Sequence, residues 1–309
     1  MWPKVIAVVV TYNRAELLPR CLEALAAQTL PVAEVLVVDN ASTDATRTVL
    51  RDAFGDRVTV LRMAFNTGGA GGFHTGVAQA LERGADWIWL MDDDGFAHPD
   101  TLSWLLQRSD ALDVMNPLVC VPGEGSRLSF GLRVGGALSL RAEDIRAAAP
   151  DGVLPDEINP FNGTLIRADA IRKYGNVRPE MFIWGDEVEF TLRVLRLGGR
   201  VGTVTAALFS HPENRRKMVN IGSRAALTEC PAKFSKFFYR NSGFYTWRYR
   251  GPGHAIGKFG AYTIFFLMRG RLLELAKFWV YYVDGLSNGF FLPPSRAALL
   301  SRVRIASSA

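Results

Sequence analysis

The sequence predicts an α/β protein with a doubly wound, mostly parallel sheet and a basic, helical C-terminal region. Two patterns in the first third of the chain predict the sheet. Short apolar runs rich in β-branched residues alternate with amphipathic segments, and polar residues directly follow most of those runs. After about residue 212 the composition becomes basic and aromatic. We therefore expect one domain over residues 1–212 and a helical region over residues 213–309.

Four strands and three helices account for the first third of the chain. Each predicted strand is a continuous apolar run, as expected of a strand buried on both faces of a parallel sheet. The predicted strands cover residues 5–10, 34–38, 58–63 and 87–91. The predicted helices cover residues 14–28, with Asn13 as the N-cap, and residues 44–50 and 73–83. A glycine-rich loop at residues 66–72 precedes the last of these helices.

The rest of the chain mixes helices, strands and turn-rich sequence. Helical periodicity predicts three helices, over residues 99–109, 168–174 and 187–197. Apolar runs predict two strands, over residues 162–166 and 201–208. The many glycines between residues 117 and 155 indicate a hairpin and loops. A basic, aromatic helical stretch is expected from about residue 231 to residue 291.

The composition excludes several classes of protein. With 309 residues, 49% hydrophobic and 21% charged, the chain is long and apolar enough to bury a core, and it is not disordered. Its three cysteines are too few and too scattered for a disulfide framework or a zinc site, which favours a reducing, cytosolic compartment. The first residues lack the features of a signal peptide, and no run reaches the roughly 18 apolar residues of a membrane span.

The net charge of +6 is unevenly distributed along the chain. Residues 211–309 carry 16 lysines and arginines against four acids, whereas residues 1–210 carry 20 basic and 26 acidic residues. Such asymmetry suggests an anionic partner for the C-terminal region. The apolar stretches 261–268 and 272–283 fit either an interfacial membrane surface or helices packed on the catalytic domain or in an oligomer. No nucleic-acid-recognition module is evident.

Polar residues end four of the predicted strands. In an open parallel sheet, ligands bind at the carboxyl ends of the strands. These residues are Thr11-Tyr12-Asn13-Arg14, Asp39-Asn40, Asn66 with its glycines, and Asp92-Asp93-Asp94. Each alone is compatible with a turn or a helix cap. Together they predict a ligand site at this edge of the sheet.

The three consecutive aspartates are the sharpest of these features. Adjacent carboxylates repel one another unless a cation balances them. Because residues i and i+2 of an extended chain point the same way, Asp92 and Asp94 can share a divalent metal ion while Asp93 points elsewhere. Carboxylates suit Mg²⁺ or Mn²⁺, which usually also hold substrate phosphates. The alternative is a solvated acidic turn.

A second acidic pair, Asp186-Glu187, opens a predicted helix beside Trp184. The helix dipole favours a carboxylate at this position, so the pair is compatible with a plain N-terminal cap. It is also compatible with a general base that takes a proton from an acceptor hydroxyl. His211, at the end of the last predicted strand, is either a third metal ligand or a loop residue.

Taken together, these motifs resemble those of the inverting family-two glycosyltransferases with the GT-A fold. The resemblance rests on Thr11-Tyr12-Asn13-Arg14, residues 37–44 (VVDNASTD), Asn66, Asp92-Asp93-Asp94 and Asp186-Glu187. Within that family, further motifs resemble bacterial galactofuranosyltransferases, above all the group that starts the actinobacterial galactan. Those motifs are residues 66–73 (NTGGAGGF), 161–163 (FNG), 182–189 (FIWGDEVE) and 239–241 (YRN). The resemblance extends to about residue 245.

The resemblance implies a UDP-sugar donor bound by the residues at the strand ends. Asp39 would contact the uracil, Thr11 and Arg14 the nucleotide, and Asn66 the ribose or diphosphate. Tyr12, Asn40, Gly69, Asp92 and Asp93 complete the predicted donor site, with Asp93 close to the sugar. The resemblance also implies Mn²⁺ or Mg²⁺ bound by Asp92, Asp94 and His211, which would offset the charge on departing UDP.

The same resemblance implies an inverting reaction at the second acidic pair. It assigns the general base to Glu187, the second of the two acids, with Asp186 as the other candidate. Trp184, Asn162 and Gly163 are the predicted acceptor-binding residues. The base would activate the acceptor hydroxyl opposite the leaving group, so that a single displacement inverts the anomeric centre.

The implied acceptor is a polyprenyl-diphosphate-linked glycan in cell-wall or surface polysaccharide synthesis. The basic C-terminal region would hold a peripheral enzyme against anionic lipid at the cytoplasmic face of the plasma membrane, without a nucleic-acid partner. Its helices are also candidates for a homo-oligomer interface.

Three alternatives to this function stay open on the sequence. A rhamnosyltransferase that uses dTDP-rhamnose is the nearest alternative within the family. A nucleotidyltransferase would be expected to have a glycine-rich, basic phosphate loop after the first strand, where Tyr12-Asn13-Arg14 stands instead. An inactive membrane-binding module would be expected to have lost one of the carboxylates.

Overall fold

The computed structural model describes residues 2–213, 218–221 and 225–287 and has the predicted mixed α/β architecture. The strands are β1 (Val5–Thr11), β2 (Glu34–Asp39), β3 (Thr59–Arg62), β4 (Trp87–Asp92), β5 (Phe96–Ala97), β6 (Val114–Val121), β7 (Glu124–Val134), β8 (Ala137–Arg141), β9 (Val153–Pro155), β10 (Asn162–Arg167), β11 (Val201–Ser210), β12 (Met218–Ile221) and β13 (Ala225–Thr228). The helices are α1 (Leu18–Ala26), α2 (Thr46–Val49), α3 (Gly68–Glu82), α4 (Thr101–Leu106), α5 (Ala142–Ala148), α6 (Ala168–Tyr174), α7 (Asp186–Arg196), α8 (Ser235–Tyr245), α9 (Pro252–Met268) and α10 (Leu272–Leu286).

An eleven-stranded sheet forms the centre of the molecule, with the order β3-β2-β1-β4-β10-β6-β11-β5 along its main path. Strands β1 to β4 are parallel to one another, β6 is parallel to β11, and β10 runs antiparallel between β4 and β6. The register pairs Thr11 with Asp39 and Val10 with Asp92. The carboxyl ends of β1, β2 and β4 therefore lie side by side.

The continuous apolar run of β1 is buried on both faces, as its sequence predicts. Val8 belongs to a core on one face of the sheet, which α3 covers through Phe73. Val9 belongs to a core on the opposite face, which α1 covers through Leu22 and α4 covers through Leu105. Side chains alternate between the two faces along a strand, so a central strand of a three-layer fold has no polar positions.

The predicted start of the first helix is wrong, and so is its predicted N-cap. Helix α1 begins at Leu18 rather than at residue 14, and Asn13 does not cap it. Asn13 has a positive φ of 53°, and its Oδ1 accepts hydrogen bonds from the backbone N–H groups of Thr43 (2.7 Å) and Asp44 (3.3 Å). Its side chain therefore joins the loops after β1 and β2, which satisfies donors of a neighbouring loop instead of those of its own helix.

The glycine-rich segment is not a loop but the first turns of α3, which begins at Gly68. The absence of side chains here permits a close approach to the sheet. A Cβ on Gly72 would lie 2.5 Å from a methyl carbon of Val10, and a Cβ on Gly76 would collide with Val8. The glycines disfavour a helix by themselves, and tight packing against β1 outweighs that preference.

The segment between residues 117 and 155 contains the predicted hairpin, formed by β6 and β7, and also a helix that was not predicted. Helix α5 has only seven residues and buries Ala142 and Ile145, which is too short a pattern to stand out among glycines.

The described part of the C-terminal region begins with an antiparallel strand pair, β12 and β13, that was not predicted. The helices that follow, α8 to α10, pack against one another through aromatic rings. The ring centroids of Tyr239 on α8, Tyr262 on α9 and Phe278 on α10 lie 5.0–5.2 Å from one another. The predicted helical stretch extends to residue 291, and its last four positions lie outside the described residues. Within the described ranges, no helix is both long enough and apolar enough to cross a membrane. The division of the chain at residue 212 stays a prediction.

Candidate active site

A cleft of about 990 Å³ opens at the carboxyl ends of the strands. Several residues that the sequence singled out line it together: Gly69, Asp92, Asp94, Asn162, Trp184, Asp186, Glu187 and His211. They come from α3, from the ends of β4 and β11, from the start of β10 and from the start of α7. Asp92 and Asp94 face the cleft, whereas Asp93 is only 6% exposed and points away from it.

One wall of the cleft carries the pair Asp94 and His211. The imidazole Nε2 lies 3.2 Å from Asp94 Oδ1, because β11 ends at Ser210 beside the end of β4. His211 Nδ1 lies 2.7 Å from the Pro212 carbonyl oxygen, which identifies Nδ1 as a hydrogen-bond donor. A neutral imidazole would then direct a lone pair on Nε2 toward the carboxylate. A shared proton or a shared cation stabilises such an arrangement.

The carboxylates at the end of β4 differ in their electrostatics. Burial, followed by the charges of Asp94 and Asp93, raises the pKa of Asp92 well above its usual value. Burial also raises the pKa of Asp93, to about 6. Burial alone would raise the pKa of Asp94, but the hydrogen bond and charge of His211 lower it below its usual value. The cluster therefore contains negative charge that the protein itself compensates only in part.

These residues suit a hard divalent cation, but they do not form a complete protein site. Among the described residues, no group of three or more His, Cys, Asp or Glu side chains is arranged to hold a metal ion. Asp94 and His211 are an oxygen and a nitrogen donor on the cleft wall, and Asp92 lies beside them. Mg²⁺ is usually held by one or two carboxylates together with substrate phosphates, so an incomplete protein site is compatible with such an ion. The ligand set stays a prediction.

The acidic pair at the start of α7 lines the same cleft. Gly185 precedes it with a φ of 104°, and its N–H donates a 2.7 Å hydrogen bond to Glu187 Oε2. Asp186 is buried, and burial together with the neighbouring Glu187 charge raises its pKa well above the usual value. Asp186 therefore releases its proton less readily than a free carboxyl does, and Glu187 is the less buried of the two acids. The charge of Glu187 also contributes to the raised pKa of Asp92.

The predicted donor residues on β1 and β2 lie outside the cleft lining. Asp39 is 1% exposed, forms an ion pair with Arg62, and accepts a 2.8 Å hydrogen bond from the Ser42 N–H. Thr11 beside it is buried, and the side chains of Tyr12 and Arg14 are exposed. Arg14 Nη2 lies 4.0 Å from Asp94 Oδ2, at the edge of the acidic cluster.

Asn40 and Asn66 hold the first turn of α3 in place. Asn40 Nδ2 donates to the Gly68 carbonyl (2.8 Å) and to Asn66 Oδ1 (3.2 Å), and its Oδ1 accepts from the Thr67 N–H at 2.9 Å. The two asparagines therefore position Gly69 at the cleft. Their direct contact with a donor stays a prediction.

The predicted acceptor residues have different surroundings. Trp184 and Asn162 line the cleft, and Asn162 Nδ2 donates to the Pro160 carbonyl at 3.1 Å. Gly163 has a φ of 73°, and its carbonyl accepts a 2.8 Å hydrogen bond from Trp89 Nε1. A Cβ on Gly163 would lie 2.7 Å from the Phe209 ring, so this glycine permits close packing behind the cleft.

Sequence reasoning did not assign two groups of residues that contribute to the cleft. Glu229 and Arg271 line its C-terminal side and form a 2.9 Å ion pair. Arg240 and Asn241 on α8 bind the backbone before the acidic pair. Residues 239–241 were noted in the sequence only as part of the resemblance, with no role assigned to them, and the sequence contains no local signal for Glu229 and Arg271, because each group acts across a long stretch of chain.

Comparison with known proteins identifies a family and two relatives of this chain. The model of the family described as glycosyl transferase family 2 matches residues 6–166. The galactofuranosyltransferase GlfT1 of Mycobacterium tuberculosis is 38% identical over 252 residues, covering 79% of this chain and 82% of that protein. The galactofuranosyltransferase GlfT1 of Mycolicibacterium smegmatis is 37% identical over 250 residues, covering 78% and 82%.

A solved structure supports the fold. The crystal structure of GalNAc-T7 with UDP, GalNAc and Mn²⁺ matches 80% of this chain with a TM-score of 0.58 and 15% sequence identity. The chain spans about half of that solved chain, since the match covers 49% of it. At this level of identity the likeness establishes a common fold.

Proposed function

The chain belongs to glycosyl transferase family 2, and on that premise we propose that it transfers galactofuranose from UDP-galactofuranose to a hydroxyl of a glycan acceptor. Transfer would occur with inversion and would serve cell-wall or surface polysaccharide synthesis. The family makes the chain a glycosyltransferase. The choice of galactofuranose rests on the galactofuranosyltransferases that are 37–38% identical over most of both chains.

The observation that carries the proposed mechanism is that two groups of acidic residues line one cleft. Glu187 belongs to one group, and Asp94 with His211 forms the other. We place the sugar between them, with its leaving group on the β4 side. A base and a leaving group on opposite sides of the reacting carbon are what a single inverting displacement requires.

In the proposed reaction Glu187 accepts the proton of the acceptor hydroxyl. The hydroxyl oxygen bonds to the anomeric carbon as the bond from that carbon to the UDP oxygen breaks, and UDP leaves with the bonding electrons. Burial raises the pKa of Asp186, and we therefore assign it a supporting role beside Glu187. Trp184, beside the pair, offers an aromatic surface for the acceptor sugar.

We include a divalent cation, Mn²⁺ or Mg²⁺, in the proposal. When bound, such an ion offsets the charge on the departing diphosphate. Asp94 and His211 would hold it, with Asp92 beside them. The support is the crowding of three carboxylates at the end of β4 together with the His211 Nε2 and Asp94 Oδ1 donor atoms, which lie 3.2 Å apart on the cleft wall.

The proposed acceptor is a glycan linked to a polyprenyl diphosphate, used by a peripheral enzyme at the cytoplasmic face of the plasma membrane. An exposed apolar surface supports this proposal. We call it the α9–α10 tip and define it as Leu267, Met268, Leu272 and Leu273. These side chains are 53–77% exposed, and Arg269 lies among them. Arg271, in the same turn, lines the cleft, so the tip is continuous with the reaction site. Apolar groups flanked by basic residues bind the boundary of an anionic bilayer.

A panel of donors tests the proposed function. The purified chain, with Mn²⁺, would be assayed with UDP-galactofuranose, UDP-galactopyranose and dTDP-rhamnose on an alkyl glycoside acceptor. We expect transfer from UDP-galactofuranose alone, with an inverted anomeric centre in the product. Preferential transfer from dTDP-rhamnose would overturn the assigned donor, and a retained configuration would overturn the single displacement.

A further inference from the structure

We propose that Asn241, on α8, is a positioning residue for the acidic pair Asp186-Glu187, because it holds the strained backbone that leads into α7. The inference rests on the proposed function, in which Glu187 is the base. It gives helix α8, whose residues 239–241 were noted in the sequence only as a motif, a role in catalysis.

The backbone before α7 adopts an unfavourable conformation. Phe182 has a φ of 64° and Trp184 a φ of 60°, both in the left-handed region that side chains with a Cβ rarely adopt, and Gly185 follows with 104°. This segment makes the turn that directs Trp184 and the acidic pair into the cleft. Such strain persists only where the surrounding structure holds it in place.

Asn241 is the side chain that holds this turn. It is fully buried, and its Nδ2 donates to the carbonyl oxygens of Met181 (2.9 Å), Ile183 (3.2 Å) and Trp184 (2.8 Å). One amide group therefore binds three of the four carbonyls between residues 181 and 184. The turn could not relax without leaving those carbonyls buried and unsatisfied.

Arg240 orients the amide of Asn241. Its Nη2 donates to Asn241 Oδ1 at 3.0 Å and to the Glu180 carbonyl at 2.6 Å. Because the oxygen of the amide is bound by the guanidinium, the NH₂ group must face the turn. The two neighbouring residues thus bind the backbone from residue 180 to residue 184 as a unit.

The same part of the chain anchors the other side of the acidic pair. Tyr249, in the turn after α8, donates a 2.7 Å hydrogen bond to Oε1 of the buried Glu189. Arg178 and Arg193 bind the same carboxylate. Glu189 lies two residues after Glu187, so the acidic pair is held from both ends by α8 and the turn that follows it.

This arrangement predicts which kinetic parameter Asn241 controls. The carboxylate cluster lies at the end of β4, and the other predicted donor residues lie at the ends of β1, β2 and β3 and at the start of α3. None of the hydrogen bonds of Asn241 reaches them. Loss of the amide should therefore misplace the base and leave the donor site intact. A misplacement of about 1 Å can lower a rate about 100-fold.

The test compares Asn241→Asp and Asn241→Ala with the matched control Ser242→Ala. Asn241→Asp keeps the size of the side chain, removes the NH₂ donor and can still pair with Arg240. Ser242 is the next residue on α8, is equally buried, and its Oγ has no hydrogen-bond partner among the described residues. Each variant would be measured for kcat, for the Kd of UDP with Mn²⁺ by calorimetry, and for hydrogen exchange of the peptide covering residues 181–188.

We expect both Asn241 variants to lower kcat about 100-fold, to leave the Kd of UDP within about twofold, and to speed hydrogen exchange in residues 181–188. Ser242→Ala should match the wild type in all three. The proposal is overturned if a folded Asn241 variant keeps its kcat, if kcat and UDP affinity fall together, or if exchange in this peptide is unchanged.

A second variant keeps the test decisive if neither Asn241 variant folds. Tyr249→Phe removes only the hydroxyl that binds Glu189. We expect it to lower kcat and to leave the Kd of UDP unchanged. An unchanged kcat in that variant would count against the proposal that α8 and the turn after it hold the acidic pair. Failure of the proposed function is distinguishable, because an inactive wild type would contradict the donor or reaction. The hydrogen-exchange comparison would still test whether Asn241 holds the turn before α7.

Discussion

His211 Nε2 lies 3.2 Å from Oδ1 of Asp94, which brings the ends of β4 and β11 together at one point of the cleft. The two residues are far apart in sequence, and β10 and β6 lie between their strands in the sheet. In the proposed function, negative charge on a departing diphosphate is held beside this pair. The acidic pair on α7 lines the same cleft.

Removing Asp94 should abolish metal-dependent nucleotide binding. We expect Asp94→Ala to weaken UDP binding in the presence of Mn²⁺ by about 100-fold or more, because it removes a carboxylate ligand and the partner of His211. Calorimetry with and without Mn²⁺ measures this. Asp113→Ala, which removes an ion pair with Arg200 away from the cleft, is the control. Metal-dependent binding that survives in Asp94→Ala would contradict the assignment.

The two members of the acidic pair should respond differently to amide substitution. Glu187→Gln should lower kcat by about 100-fold or more while the Kd of UDP stays unchanged, since a general base contributes 10²–10⁴-fold to a rate. Asp186→Asn should keep kcat within about tenfold, because the raised pKa of Asp186 favours its neutral form and an amide can still donate to Glu187. The rate of transfer in a single turnover, measured for both variants, distinguishes these two outcomes. The reverse ranking would assign the base to Asp186.

The buried Asp93 should make the metal-free protein less stable as the pH rises. Its folded pKa of about 6 exceeds the unfolded value of 3.8, so the folded state binds more protons in that window and the free energy of unfolding falls through it. The free energy of unfolding of Asp93→Asn, relative to that of the wild type, should therefore rise by up to about 3 kcal/mol between pH 4 and pH 7.5. Urea unfolding at both pH values measures this gain. An equal difference between the two proteins at both pH values would disagree with the prediction.

Alanine substitutions of two glycines of α3 should distinguish a role in packing from a role in donor binding. Gly72→Ala should destabilise the protein by about 1–3 kcal/mol, because its Cβ would meet Val10 at 2.5 Å. Gly69→Ala has no heavy atom within 4 Å of the added Cβ and should stabilise the helix by up to about 1 kcal/mol. Because Gly69 lines the cleft, the same change should raise the KM for the donor. Urea unfolding and donor kinetics check both, and a stable Gly72→Ala would argue against the tight contact.

The α9–α10 tip should bind anionic vesicles. The double variant Leu272→Ser/Leu273→Ser should reduce partition into phosphatidylglycerol vesicles at least tenfold, since each leucine contributes about 1.5 kcal/mol or more when buried. Leu138→Ser, an exposed leucine on β8, is the control. Co-sedimentation measures partition, and added salt should weaken it. Unchanged partition, together with a smaller particle in sedimentation velocity, would identify the tip as an oligomer interface instead.

Much of the fold could be predicted because its signals are local. The apolar run of β1 and the periodicity of α7 each lie within one element, and the structure has both. The start of α3 could not be predicted, because glycines favour a loop until packing against Val10 and Val8 is taken into account. The prediction that Asn13 caps the first helix is wrong because its hydrogen-bond partners lie in a distant part of the sequence, the loop after β2.

The sequence by itself determined the family, the sheet and the identity of the acidic residues, because these depend on patterns of neighbouring residues. Only the tertiary structure decided that Asp94 contacts His211, that Asp186 is buried while Glu187 faces the cleft, and that Asn241 binds the turn before them. The physical reason is that burial and hydrogen bonding depend on which distant segments pack together, and that information is not contained in the spacing of residues along the chain.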